Sequence, residues 1–85
     1  MQTFQHSVKD PDGLHARPAG LLVKCAKGCS SDIQIVVNDK TIDAKHLFAV
    51  MGLCVKQSDN ITFRIEGEDE QHDCSRLEAF CRENI

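Results

Sequence analysis

The fold of this chain can be predicted starting from one stretch of eight residues, Gly13-Leu14-His15-Ala16-Arg17-Pro18-Ala19-Gly20. Gly13 permits a sharp bend and a helical pattern follows it, so the stretch predicts a helix start with His15 at or beside the N-cap. Pro18 falls in the first turn. Its missing N–H is tolerated there because the first backbone N–H groups of a helix have no internal partner.

The start of this helix has the chemistry of an anion site. The N–H groups of Ala16 and Arg17 point outward at the positive end of the helix dipole, and Arg17 adds a guanidinium fork that matches phosphate oxygens. His15 carries a ring nitrogen that is nucleophilic when neutral. A lone histidine before a helix is more often an ordinary surface residue. The tetrad His-Ala-Arg-Pro is more specific, and it indicates a phosphohistidine site.

Apolar periodicity predicts the order strand, helix, strand, strand, helix, strand, helix. The predicted segments are 2–9, 16–27, 32–37, 40–44, 46–53, 61–66 and a last helix after the acidic run 67–70. The apolar side of the first helix consists of Pro18, Leu21, Leu22, Cys25 and Ala26. Asn38-Asp39 marks a tight turn. Because two-layer packing lets a short chain cover one face of a sheet, we predict an α+β fold over residues 1–85: an open-faced sandwich, with a four-stranded antiparallel sheet and three helices on one face.

Composition excludes several classes of function. The 85 residues carry a net charge of −3, no basic block, and no tryptophan or tyrosine for base stacking, so we expect no nucleic-acid partner. The chain has no run of about 18 apolar residues and no N-terminal basic-then-apolar segment, so we expect a cytoplasmic protein without membrane insertion.

The chain carries five cysteines, an odd number without a Cys-x-x-Cys pair. We expect reduced thiols that pack as small apolar residues, with adventitious metal binding or oxidation as the minor alternative. These residues are Cys25, Cys29, Cys54, Cys74 and Cys81. Nothing in the chain resembles a nucleotide loop, a metal centre or a second catalytic group, so neither a cofactor nor an independent enzyme is expected.

The sequence resembles the histidine-containing phosphocarrier proteins (HPr) of the bacterial phosphoenolpyruvate:sugar phosphotransferase system. The resemblance covers essentially the whole chain, and the family has the same open-faced sandwich. It rests on Gly13 to Ala19, Lys24, Ala26 to Gly28, Lys45, Leu47-Phe48, Val50-Met51 and Glu66 to Glu70.

The resemblance implies that His15 accepts a phosphoryl group on Nδ1 from phosphorylated Enzyme I and gives it to the IIA domain of a sugar permease. Arg17 and the N–H groups of Ala16 and Arg17 would stabilise that group.

The short second helix carries more apolar surface than its core face needs. From the residues alone, a core role is favoured for each of Leu47, Phe48 and Met51; the resemblance favours a docking patch instead. The predicted rim of this patch is basic and consists of Arg17, Lys24, Lys27 and Lys45. Such a surface suits brief contacts with acidic partners, and a carrier that visits two partners through one patch is expected to be a monomer.

Two positions depart from the family. His46 stands where many members carry a regulatory serine, so a serine kinase finds no hydroxyl there, and no Arg-Pro follows it to indicate a second phosphohistidine. Cys54 stands where the family usually has glycine. Either Cys54 bears the strain of a positive φ or Gly52 makes the turn. The alternative functions are a regulatory protein-binding module outside sugar uptake and a thiol or metal-binding protein.

Overall fold

Seven regular elements make up the chain, which a computed structural model describes over residues 1–85. In chain order they are β1 (Gln2–Ser7), α1 (Ala16–Lys27), β2 (Asp32–Val37), β3 (Lys40–Asp43), α2 (Leu47–Gly52), β4 (Asn60–Glu66) and α3 (Glu70–Asn84). The predicted βαββαβα order is therefore confirmed.

The four strands form one antiparallel sheet in the order β1-β4-β2-β3. Phe63 of β4 pairs with Phe4 on one side and with Ile35 on the other. The rings of Phe4 and Phe63 stack with centroids 4.7 Å apart. Alternate residues of β2 and β4 are buried, namely Ile33, Ile35, Val37, Ile61, Phe63 and Ile65. The predicted alternation of these strands is confirmed, and the opposite face of the sheet stays open.

The helices cover the apolar face of the sheet and complete the core. α1 buries Pro18, Ala19, Leu22, Val23 and Ala26. α3 buries Cys74, Leu77 and Cys81 among its apolar residues, whereas α2 buries only Val50. The architecture is the predicted open-faced sandwich. None of the three helices has the length and the apolar character needed to cross a membrane.

Some element ends differ from the prediction because a cap overrides the apolar pattern. α2 begins at Leu47 rather than at His46, which is its N-cap in an extended conformation. The Nδ1 atom of His46 accepts the N–H of Ala49 at 3.1 Å. This bond satisfies one of the unpaired N–H groups at the start of α2. β1 is also shorter than expected and ends at Ser7.

Four of the five cysteines pack as small apolar residues, as predicted. Cys29, Cys74 and Cys81 are buried, and Cys25 packs against the core. Burial raises the pKa of the Cys29 thiol to about 11 and that of the Cys81 thiol to about 12. Neither thiol is therefore a nucleophile near neutral pH. Cys54 alone is exposed.

A buried carboxylate ties α3 to the start of β2. Asp73 is 3% exposed, and its Oδ2 accepts the backbone N–H of Ser31 at 3.1 Å and the Ser31 hydroxyl at 2.6 Å. Burial opposes the charge of Asp73, but the two hydrogen bonds from Ser31 outweigh it and hold the pKa of the carboxyl below its ordinary value. Because the folded pKa is the lower one, this carboxylate stabilises the fold above its unfolded pKa of about 3.9. That stabilisation is lost as the pH falls through the folded pKa.

We expect Asp73→Ala to lower the free energy of unfolding at neutral pH by about 2 kcal/mol, because two buried donors of Ser31 lose their acceptor. Urea unfolding between about pH 7 and pH 3 should show the difference from the native chain shrinking at the acid end. The matched control is Asp69→Ala, which removes an exposed bond from the Ser30 hydroxyl. It should change stability by less than about 0.5 kcal/mol. If the free energy of unfolding of Asp73→Ala is below the native value by the same amount at every pH, this account is contradicted.

The turn after α2 places Cys54 in the left-handed region, with a φ of 52°. Gly52 lies inside α2 and has no positive φ. Of the two alternatives that the sequence left open, the structure therefore adopts the strained cysteine. A side chain in this region costs about 1–2 kcal/mol relative to the ordinary regions.

Cys54→Gly should raise the free energy of unfolding by about 0.5–1 kcal/mol, because glycine relieves the left-handed cost but adds entropy to the unfolded chain. Cys54→Ala keeps the Cβ and removes only the thiol, so its stability should stay within about 0.5 kcal/mol of the native value. Urea unfolding of both variants separates the two effects. Equal stabilities of the glycine and alanine variants would mean that the backbone of Cys54 is not strained.

Candidate functional site

A close backbone approach positions His15. Gly13 has a φ of 67°, and a Cβ on it would collide with the carbonyl oxygen of Val55. The next residue, Leu14, is buried and donates its N–H to that same oxygen at 3.0 Å. His15 then follows as the N-cap of α1, as predicted, in an extended conformation with its side chain 41% exposed.

The first turn of α1 leaves backbone donors free. The N–H groups of Ala16 and Arg17 have no acceptor in the protein, and Pro18 has no N–H. The first N–H with a partner is that of Ala19, which donates to the carbonyl of His15 at 2.9 Å. Unpaired donors at a helix N-terminus favour an anion, as the sequence predicted.

His15 and Arg17 share a cleft of about 260 Å³. The lining residues are Asp10, His15, Arg17, Pro18, Leu21, Glu83 and Asn84. Arg17 is exposed and forms no ion pair, so its guanidinium is free to meet a ligand. Pro18, which also lines the cleft, is buried. The cleft thus joins a nucleophilic ring, a free guanidinium and free backbone donors.

Three lining residues of this cleft were not among the predicted site residues. From the sequence, Asp10 was assigned only to a turn. Its position five residues before His15 is a local signal that could have indicated a contact with the ring. Glu83 and Asn84 reach the cleft from the end of α3, and nothing in the local sequence indicates that contact. The carboxylate of Asp10 lies 3.5 Å from Nε2 of His15, measured from its Oδ2.

Side chains of metal-ligating type also gather at this turn. Single ligand atoms of Asp10, Asp12 and His15 lie within 4.8 Å of one another. These are the residues that could together hold a cation. Arg17 and the positive end of α1 adjoin them and oppose a positive charge. The absence of a functional metal therefore stays a prediction.

An exposed apolar patch lies next to the cleft. It consists of Leu21, Leu47, Phe48 and Met51, which are 41%, 37%, 79% and 39% exposed. Leu21 lines the cleft of His15, while Leu47 lines a separate cavity of about 330 Å³ with Lys24 and Lys27. The exposure that the resemblance implied for Leu47, Phe48 and Met51 is confirmed, and the core role that the residues alone favoured is wrong. The assignment of Leu21 to the buried side of α1 was wrong, because that position faces the cleft and not the sheet.

The predicted basic rim is only partly assembled. Lys24 and Lys27 lie beside Leu47, as expected for a rim. The ammonium group of Lys45 instead donates to the carbonyl of Cys29 at 3.0 Å, where it anchors the chain after α1. Lys45 lines a different cavity, on the side of β2 and β3. A role for Lys45 in docking stays a prediction.

Comparison with known proteins places this chain in a family. Residues 2–83 match the family described as "PTS HPr component phosphorylation site". Phosphocarrier protein HPr from Lysinibacillus sphaericus is 44% identical over 70 residues, which cover 82% of this chain and 80% of that protein. The crystal structure of HPr-C-His from Thermoanaerobacter tengcongensis gives a TM-score of 0.93 at 32% identity and covers 99% of this chain and 94% of that chain.

Another similar structure bears on the oligomeric state. It is the crystal structure of an HPr dimer from Thermoanaerobacter tengcongensis, with a TM-score of 0.77 at 32% identity, covering 98% of this chain and 95% of that chain. The expected monomer therefore stays a prediction. The family match over nearly the whole chain, together with the identity to a curated phosphocarrier, settles the classification. This chain belongs to the HPr family, the phosphocarrier proteins of the phosphotransferase system.

Proposed function

We propose that His15 accepts a phosphoryl group on Nδ1 from phosphorylated Enzyme I and donates it to the IIA domain of a sugar permease. The observation that carries this proposal is the cleft in which His15 meets the free guanidinium of Arg17 and the unpaired N–H groups of Ala16 and Arg17. Donors of this kind bind phosphoryl oxygens, and nothing in the fold occupies them. The exchange would take place in the cytoplasm, where both partners would meet this chain.

The chemistry of the exchange is mainly positioning and electrostatics. While the phosphoryl group moves between two histidine rings, negative charge spreads over its oxygens. A protein that binds those oxygens lowers the barrier to the transfer. Arg17 and the helix terminus supply this charge stabilisation. In this proposal the chain does not complete a reaction by itself, because it depends on one partner to donate the group and on another to accept it.

Partners would dock on the apolar patch beside the cleft. Phe48 is the most exposed large apolar side chain of the fold, and Lys24 and Lys27 lie at the border of the patch. A small apolar centre with a basic border suits partners that bind and leave quickly, with acidic residues around their own site. Salt should weaken the contact, because exposed charges are screened.

The alternative is an HPr-like regulatory module that binds a protein outside sugar uptake. The exposed patch would serve such docking without phosphoryl transfer. If the chain is such a module, His15 and Arg17 have no chemical role. If it is a carrier, His15 is indispensable and Arg17 speeds the transfer. His46 at the start of α2 excludes regulation by a serine kinase at that position in either reading, because its side chain has no hydroxyl and its Nδ1 caps the helix.

Incubation with phosphoenolpyruvate and Enzyme I should add one phosphoryl group to the native chain, measured as intact mass, and the adduct should be labile to acid. His15→Ala should give no adduct. Arg17→Ala should still be phosphorylated, but more slowly by about 10- to 1,000-fold, because one charged group that stabilises the moving phosphoryl group is lost.

The matched control for Arg17 is Arg82→Ala, which removes an exposed guanidinium from the last turn of α3, outside the residues that line the cleft. It should be phosphorylated at the native rate. No adduct on the native chain with an active Enzyme I would refute the carrier function and favour the regulatory module.

Phe48→Ala should raise the KM for this chain in the Enzyme I reaction by about tenfold, the size expected for truncating an exposed aromatic anchor. Its free energy of unfolding should stay within about 0.5 kcal/mol of the native value, because the ring is 79% exposed. Thr41→Ala, an exposed change on the edge strand β3, should leave KM unchanged. If Phe48→Ala has the native KM, Phe48 is not part of the surface on which Enzyme I docks.

A further inference from the structure

The ring of His15 has one polar partner in the fold, and it is Asp10. Oδ2 of Asp10 lies 3.5 Å from Nε2 of His15. The ring makes no side-chain cap to the first turn of α1, and Glu83, the other acid of the cleft, forms no ion pair with it. The two ring nitrogens therefore have unequal surroundings: Nε2 faces a carboxylate, and Nδ1 has no fixed partner.

The turn holds Asp10 in this orientation. Its second carboxylate oxygen, Oδ1, accepts the N–H of Asp12 at 2.9 Å, and its carbonyl accepts the N–H of Gly13 at 2.9 Å. With one oxygen engaged by the backbone, the other is left to face the imidazole. The carboxylate is thus aimed at Nε2 by the same turn that delivers the chain to His15.

We infer that Asp10 is a positioning residue, which keeps the proton of the neutral His15 ring on Nε2 and so leaves the lone pair on Nδ1. A carboxylate oxygen attracts an N–H and repels a lone pair, and the partner of one ring nitrogen decides the state of the other. This inference rests on the proposed function in one respect, namely that Nδ1 is the atom that takes the phosphoryl group.

A His15 ring with its proton on Nε2 is ready for the transfer step. The lone pair of Nδ1 forms the new N–P bond while the P–N bond of the donor histidine breaks, and that electron pair returns to the donor nitrogen. The proton on Nε2 does not move. The phosphorylated ring then carries a positive charge facing Asp10, which offsets it, and transfer to the acceptor reverses the same changes.

Two substitutions of Asp10 distinguish this role from a purely structural one. Asp10→Asn keeps a carbonyl oxygen for the N–H of Asp12 and presents an NH₂ group to Nε2, which drives the ring proton to Nδ1. Asp10→Ala removes both the contact with the ring and the bond within the turn. Positioning therefore predicts that the asparagine variant is the slower one, whereas a role confined to the turn predicts that the alanine variant is.

The measurement is ¹⁵N NMR of the imidazole nitrogens in the unphosphorylated protein at about pH 8.5, well above the ordinary pKa of a histidine side chain. The native chain should show a protonated Nε2 and an unprotonated Nδ1, and Asp10→Asn should shift the proton toward Nδ1. Phosphorylation by Enzyme I should slow by at least about tenfold in Asp10→Asn and by about threefold in Asp10→Ala, in proportion to the reactive fraction of the ring. Asp39→Asn, the same change of charge in the exposed turn between β2 and β3, should leave the spectrum and the rate as they are.

A native ring protonated on Nδ1, a native spectrum in Asp10→Asn, or an alanine variant slower than the asparagine variant would each overturn the inference. The NMR measurement needs no phosphoryl donor. If the native chain takes no phosphoryl group at all, the proposed function fails, and the spectra still decide whether Asp10 sets the proton on the ring.

Discussion

The contact between Gly13 and Val55 is the constraint on which the site depends. A backbone without a Cβ can lie against the Val55 carbonyl, and Leu14 then donates to the same oxygen while its side chain enters the core. His15 is the next residue, so its position is fixed by a bond between Leu14 and the segment that joins α2 to β4. Any side chain at position 13 would have to move that segment as well as the turn.

The same segment explains why the apolar patch and the cleft are neighbours. Cys54, in the left-handed region, turns the chain at the end of α2 so that Val55 reaches Leu14. Val55 thereby links two parts of the chain. It follows the helix that carries Leu47, Phe48 and Met51, and it bonds to the residue before His15. The strain at Cys54 is tolerable because the side chain is small and exposed, and because the flanking residues Leu53 and Val55 are buried and hold it in place.

Local signals in the sequence were enough for the elements and for the core of the site. Periodicity gave the bounds of α1 and β2, and the Asn38-Asp39 turn has the two positive φ values that a tight hairpin requires. Contacts between distant segments were not predictable. The Ser31–Asp73 bond spans 42 positions, and the cleft includes residues from the end of α3. Leu21 was misassigned for the same reason, since periodicity marks an apolar residue but cannot tell a core from a docking surface.

The cleft brings groups of both charge signs around one imidazole ring, namely the Arg17 guanidinium and the Asp10 carboxylate, and this arrangement suits a carrier. A phosphohistidine pairs a negative phosphoryl group with a positively charged ring, so each part needs its own counter-charge. In the proposed transfer, Arg17 and the helix terminus would meet the phosphoryl group, while Asp10 faces the ring. A site with only the positive groups would bind the phosphoryl group but would oppose the ring charge that comes with it. With both signs present, each part of a phosphohistidine would have its own counter-charge, which suits a group that is taken from one partner and passed to the next.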